Sequence, residues 1–397
     1  MSSQLTRCLA CDGSDIDSCL DLGHQPLAND FKKTADEKQE EYPLAVNLCK
    51  TCFHLQLTHA VNPELMFTNY LYMSGVSSVY SEHLSWFAKY AAEYYNGPAK
   101  NALDIGCNDG TQLDAFKLLG MDTFGIDPAL NIYPISSGKG HDVFCGYFED
   151  YDTDRKFDII NAANVFAHNR TPFEFLTKCA TLMHDDSLLF VQTSQAEMVK
   201  NGEFDTIYHE HISFYNSSSM MALSSRVGLP LVDIDKAPMH GTSYVFIFSK
   251  TRPMSDRLKE TLAKEKDQGL TKIDTYTKWA DQCVKTTKEL ARTLSDVDGL
   301  VVGYGAAAKG NTLINFSKIK LDVIVDDSPL KQNTFAPGSS IPVVSSEYIK
   351  NIPLDKPVWF VPLAWNLFDE IHEKIVKVRG IQPNDHFVRY FPFVKVT

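Results

Sequence analysis

Residues 205–211, "DTIYHEH", set Tyr208, His209, Glu210 and His211 side by side, with Phe214 and Tyr215 just beyond. Each of the four can move or orient a proton. An imidazole, with an unperturbed pKa near ~6.5, suits a general base at neutral pH. A neighbouring carboxylate orients such a ring, and a phenol can donate to a developing oxyanion. A metal site is the other reading of His-Glu-His, but adjacent ligands on one short stretch fit zinc poorly. On an extended segment successive side chains alternate, so His209 and His211 would share one face and Glu210 the other.

Cys8 and Cys11 in "CLAC", and Cys49 and Cys52 in "CKTC", form two Cys-x-x-Cys pairs. Each two-residue spacer lets its thiolates converge on one side of a tight turn, so the pairs together can surround one zinc ion. Four sulfurs leave no open coordination position, which predicts a structural ion. Nine cysteines and no visible export signal favour reduced thiols and a cytoplasmic protein.

"NALDIGCNDGTQL" reads as a buried strand over 102–105, a tight turn and a helix over 111–119. Gly106, Asn108, Asp109 and Gly110 form the turn, where a backbone without side chains can approach a ligand. Asn108 stands where the dinucleotide fingerprint needs its second glycine. Asp104 at the strand end would repel a pyrophosphate but suits the ammonium and sulfonium of S-adenosylmethionine. Asp127, ending the strand in "FGIDP", can hold a ribose hydroxyl pair. Asn164 ends a strand in "KFDIINAANVFAH", with His168 on the loop beyond.

The elements that position these groups follow from pattern. Residues 82–98 predict an amphipathic helix stopped by Gly97-Pro98, and "SLLFVQTS", "LVDIDKA" and "SYVFIFSK" predict strands. Strands alternating with helices, then two closely spaced strands, suit a seven-stranded sheet with "YHEH" after the fifth strand, at the carboxyl edge. Residues 254–298 predict one or two long helices. "GLVVGYGAAAKGNTLINF" then repeats the strand–glycine turn–helix logic, with Lys309 at a helix start, where a phosphate would be favoured.

A net charge of −12 argues against nucleic-acid binding by general phosphate neutralisation, and no stretch predicts a membrane span. At 397 residues the chain predicts two or three domains.

Taken in order, the two Cys-x-x-Cys pairs, "LDIGCNDGTQL", "YHEHISFY" and "VVGYGAAAKGNTLINF" with "DDSPLKQNTFAPGSSIPV" resemble the sugar C-methyltransferases of nucleotide-linked deoxysugar pathways. That resemblance implies an α/β chain of three parts: a small four-cysteine zinc domain over 1–75, a central Rossmann-like seven-stranded methyltransferase domain over 76–252, and a Rossmann-like C-terminal α/β domain over 253–397 with a helical linker at 254–298. It implies S-adenosylmethionine and structural zinc as cofactors. The implied substrate is a thymidine-diphosphate 4-keto-deoxysugar, methylated at C3 by a monomer or weak dimer. Catalytic positions map to Tyr208, Glu210, His211 and His168, with Tyr72 favoured over Tyr70 in "YLYMSG". Candidate substrate contacts are His209, His240, Tyr304, Gly305, Lys309 and Asn311. Methylation at a sugar oxygen or nitrogen, and a non-catalytic nucleotide-sugar scaffold, are the competing expectations.

Overall fold

The computed structural model describes residues 2–68, 70, 73–76, 78–194, 196–239 and 241–397. Tyr72 and His240 lie outside the described residues.

The apolar runs between 101 and 248 form a seven-stranded sheet in the order 231–237, 243–248, 183–193, 157–163, 101–105, 122–127, 142–145. Strand Ser243–Phe248 runs antiparallel to Met183–Thr193, and the paired strands from Met183–Thr193 outward to Asp142–Cys145 are parallel. Parallel strands are buried on both faces, which is why they read as continuous Val/Ile/Leu/Phe runs. Chain order reverses between Asn101–Ile105 and Phe157–Ala163, so the turn after Ile105 and the loop after Ala163 splay apart at the carboxyl edge. That crevice is where open α/β sheets bind ligands. Helix Ser78–Tyr95 covers one face of this sheet, with Phe87 packed edge-on against Phe190.

The charged stretch after residue 254 folds as two helices, Asp256–Asp267 and Ile273–Ser295. A second seven-stranded sheet follows, in the order 334–335, 342–344, 323–325, 300–304, 358–362, 385–389, 395–396. Its own reversal lies between Leu300–Tyr304 and Val358–Pro362. Among the described residues no helix is long and apolar enough to cross a membrane.

A four-stranded antiparallel sheet at the N-terminus joins 16–26, 41–49 and 55–57 to a fourth strand, Ser213–Phe214. This last strand is supplied by the segment just after "YHEH". The pairing is Ser213 with Gln56 and Phe214 with Leu55. Phe204, Ile207 and Ile212 sink into one apolar cluster with Leu44, Leu55, Trp279, Leu313 and Val361. Full burial of each such side chain stabilises by about 1.5–3 kcal/mol. These anchors leave the polar residues between them fixed where all three sheets meet.

Candidate active site

The 205–211 segment is a turn, not an extended strand. His211 N–H donates to Tyr208 O at 2.8 Å, which closes it. The alternation expected of an extended stretch therefore fails, and the two histidines part. His209 Nε2 lies 3.3 Å from Tyr42 O, with its ring edge-on to Tyr42. His211 turns the other way and stacks on His168, ring centroids 5.1 Å apart. His168 in turn stacks on Phe67 at 5.5 Å.

Two partners fix the His211 tautomer. Nδ1 lies 2.8 Å from Thr206 O, a group that only accepts, so Nδ1 carries the proton. Nε2 is then the acceptor, and Tyr208 O–H donates to it at 2.9 Å. Burial pushes the imidazole down to about 3, helped by the neighbouring His168, which burial itself lowers to about 4. Both rings are neutral at neutral pH, and Nε2 keeps its lone pair.

Glu210, only 5% exposed, receives Asn29 Nδ2–H at 2.6 Å and Tyr70 O–H at 3.4 Å. Burial pushes its carboxyl up to about 7, against the pull of those donors and of Lys331. Lys331 Nζ donates to Ala306 O at 2.8 Å, on the C-terminal glycine turn. One carboxylate thus takes hydrogen bonds from Asn29 and Tyr70 and feels the charge of Lys331 in the C-terminal domain. Asn29, Tyr70 and Lys331 stand far from 210 in sequence. Only Tyr70 carried a local signal, as the lesser choice beside Tyr72.

At the first glycine turn, Gly106, Asn108 and Gly110 take φ of 77°, 50° and 78°. A Cβ on Gly106 would meet Val165 at 3.1 Å, so the close approach of the two edge loops requires glycine there. Asp127 accepts Asn108 N–H at 2.8 Å and Ala129 N–H at 2.9 Å. Asp104 is 2% exposed and receives Asn161 Nδ2–H at 2.7 Å; burial pushes it up to about 7. Asp109 accepts Gly75 N–H at 2.7 Å and Asn108 Oδ1 accepts Ser74 N–H at 2.9 Å, so the segment carrying Tyr70 also lies along this turn. Asn164, with φ of 56°, begins the loop that ends at His168. The donor edge and the imidazole pair therefore share one short loop. A buried carboxylate, a close-approach turn and an acid ending the next strand fit the ammonium, the backbone and the ribose of S-adenosylmethionine.

The second glycine turn meets the same segment from the other side. Asn311 Nδ2–H donates to Ala28 O at 2.7 Å and Thr312 O–H to Ile207 O at 3.2 Å. Lys309 donates to Asn366 and lies 5.0 Å from the centre of the Trp365 ring. Trp365 Nε1–H donates to Asp205 at 2.9 Å, and Asp205 and Glu203 oppose the burial that lowers Lys309. Tyr304 O–H reaches Asp327 at 3.2 Å, and Gly305 takes φ of 92° at the turn. Lys309 and Asn311 thus hold protein groups around the base of the 205–211 turn. Asp205 and Trp365 in that network had no recognisable sequence signal.

The sulfurs of Cys8, Cys11, Cys49 and Cys52 all lie within 4.8 Å of one another. Two of the Sγ pairs stand 3.5 Å apart, and Cys11 N–H donates to Cys8 Sγ. Tetrahedral zinc with Zn–S of about 2.3 Å needs sulfurs about 3.8 Å apart. The donor set fits.

Three families match consecutive stretches of the chain: a zinc binding domain over residues 8–67, a methyltransferase domain over 79–234 and a C-methyltransferase C-terminal domain over 238–392. The chain is 28% identical to C-methyltransferase NovU of Streptomyces niveus over 387 residues, 92% of this chain and 91% of that one. A ubiquinone biosynthesis O-methyltransferase of Rhodopseudomonas palustris is 38% identical over 97 residues, covering 23% of this chain and 38% of its own. Among solved structures, magnesium protoporphyrin IX methyltransferase of Synechocystis aligns over 43% of this chain and 79% of its own, at 11% identity and a TM-score of 0.36.

Proposed function

The chain belongs to the S-adenosylmethionine-dependent C-methyltransferases, and from that premise we propose that it methylates C3 of a nucleotide-linked 4-keto-deoxysugar through an enolate. Bound S-adenosylmethionine supplies an electrophilic methyl group, so the protein's own task is to make carbon nucleophilic. Carbon becomes so when a neighbouring carbonyl lets a C–H proton leave. The observation that carries this reading is the lone pair of His211 Nε2 held 2.9 Å from Tyr208 O–H, beside the donor edge.

In the proposed step the C3 proton passes to Nε2 and the C3–H electrons move into the enolate. Nδ1–H stays on Thr206 O, which orients the ring throughout. Tyr208 O–H, released from Nε2, turns to the C4 oxygen and donates to the negative charge that collects there. Burial disfavours the imidazolium, but the enolate forms beside it in the same event and offsets that cost. Glu210 faces Asn29 and Tyr70 rather than His211, and its proposed role is to accept from a sugar hydroxyl. Tyr72 as a catalytic residue and His240 as a substrate contact remain proposed on sequence grounds. Lys309, Gly305, Tyr304 and Asn311, at and just after the second glycine turn, are the proposed contacts of a thymidine diphosphate.

The test is product structure. Incubation with S-adenosylmethionine and a thymidine-diphosphate 4-keto-deoxysugar should give a new C–CH₃ singlet by NMR. An O–CH₃ or N–CH₃ shift would overturn the reaction class, and a donor-binding chain that turns over no keto-sugar would overturn the substrate.

Donor affinity should also depend on pH. Asp104, raised to about 7, is protonated below that value and offers no charge to an ammonium. Binding of S-adenosylhomocysteine should weaken by about tenfold per pH unit below about 7, because each binding event must then release one proton. Calorimetry at pH 5.5, 6.5 and 7.5 checks this, and an Asp104→Asn variant should lose the dependence.

A further inference from the structure

Asp205, which opens the 205–211 turn, is fully buried. Its Oδ2 receives Trp365 Nε1–H at 2.9 Å, while Oδ1 has no hydrogen-bond partner among the described residues. A carboxylate taken out of water is costly unless it is hydrogen-bonded, so the indole bond governs where Asp205 can sit. The next residue, Thr206, supplies the carbonyl that holds His211 Nδ1 at 2.8 Å. A shift of Asp205 therefore moves the group that fixes the His211 tautomer. Trp365 itself has little freedom. Two residues earlier, Leu363 N–H donates to Tyr304 O at 2.8 Å and Leu363 O accepts Tyr390 O–H at 3.0 Å. Tyr304 ends the strand that leads into the second glycine turn. The indole stands edge-on to Phe391 at 5.5 Å, with Lys309 Nζ 5.0 Å from its ring centre. Trp365 Cη2 lies so close to Gly241 that a Cβ there would meet it at 3.1 Å. Phe391 packs edge-on against Phe204, the residue before Asp205, at 5.5 Å.

We propose that Trp365 and Asp205 are positioning residues through which the C-terminal domain sets the proton-accepting face of His211. The indole N–H fixes Asp205, Asp205 fixes the Thr206 carbonyl, and that carbonyl keeps the imidazole proton on Nδ1 and the lone pair on Nε2. Neither residue touches the reacting atoms. The inference rests on the reading of His211 as the base and adds to it a dependence on a side chain of the other sheet.

Nitrogen-15 NMR of the full chain labelled at histidine reads the tautomer directly, the His211 signals being those lost in His211→Asn. Trp365→Phe keeps an aromatic ring and removes the N–H. It should bring a detectable Nε2–H tautomer at His211. Turnover and deuterium exchange at the sugar carbon should fall by about 10- to 100-fold, with KM and S-adenosylhomocysteine affinity within about threefold. Asp205→Asn retains an oxygen for the indole and should keep turnover within about threefold. Asp205→Ala should match Trp365→Phe, and the double variant should be no worse than the worse single one, because both remove the same bond. An unchanged tautomer in Trp365→Phe, losses that multiply in the double variant, or an Asp205→Asn chain as damaged as Asp205→Ala would each overturn the inference. Failure of both Trp365→Phe and Asp205→Ala to fold would overturn it too, by making the bond a structural strut. A shifted tautomer with undiminished exchange would instead overturn His211 as the base and leave the link from Trp365 to the ring standing.

Discussion

Replacing His211 by Asn is expected to cut turnover by about 10²–10⁴-fold, the usual worth of a general base, while leaving donor affinity within a few-fold. Asn keeps a polar group near Thr206 O and Tyr208 but has no lone-pair nitrogen to take a proton. The isolating measurement is solvent deuterium exchange at the sugar carbon with S-adenosylhomocysteine in place of the donor, where enolisation proceeds without methyl transfer. Exchange should fall together with turnover. The pH profile adds a second readout. Burial holds His211 near 3, so no histidine limb should appear around 6.5. Exchange that survives in the variant would sink His211 as the base and pass the role to Glu210, whose carboxyl near 7 is the other group poised for neutral pH. His209 is the further alternative: its Nε2 faces Tyr42 O, so it carries the proton there and its buried Nδ1 keeps a lone pair, on the side away from His168.

The difference between the expected and observed faces of this segment is instructive. Strand alternation from 208 to 211 is a reading of local pattern, but Ile207 and Ile212 are pinned in the shared apolar cluster. Four polar residues must be taken up between those two anchors, and the backbone closes a turn to do it. Long-range packing decided which histidine faces the donor edge, and no local signal could have. The same holds for Asn29, which donates to Glu210, and for Lys331, whose charge acts on it, because each stands far from Glu210 in sequence. By contrast, the strand–turn–helix at 101–118 was fully legible, since a glycine turn at a sheet edge is specified by its own residues. The helical character of 254–298, read as one or two helices and folded as two, was legible for a similar reason, being set by charge-rich sequence almost free of Gly and Pro.

Removal of zinc is expected to abolish methyl transfer while sparing the donor turn, because the metal sits at the root of the strand that holds His211. Cys49 and Cys52 end and follow the long strand Glu41–Cys49, and the chain then turns at once into Leu55–Leu57. Cys49 N–H donates to His54 O, and His54 Nε2 lies 3.2 Å from Ser213 Oγ. Leu57 N–H donates to Ile212 O, one residue after His211. When the ion leaves, the four sulfurs, packed within 4.8 Å of one another, take up protons and lose the bonds that joined them, so the knuckles should loosen. Structural zinc contributes about 10–16 kcal/mol in isolated finger peptides, and even a fraction of that exceeds what two ladder pairs at 213–214 can hold. A Cys52→Ser chain should bind less than one equivalent of zinc by metal analysis, melt several degrees lower, and lose turnover by about 10²-fold or more. Its affinity for S-adenosylhomocysteine should change little, since the donor turn is held by Asp127 and by the 74–75 segment. A metal-free chain with undiminished turnover would overturn this coupling. One in which donor binding collapses together with turnover would show that the cysteines support the central sheet, with which they share an apolar cluster, rather than the 205–211 turn.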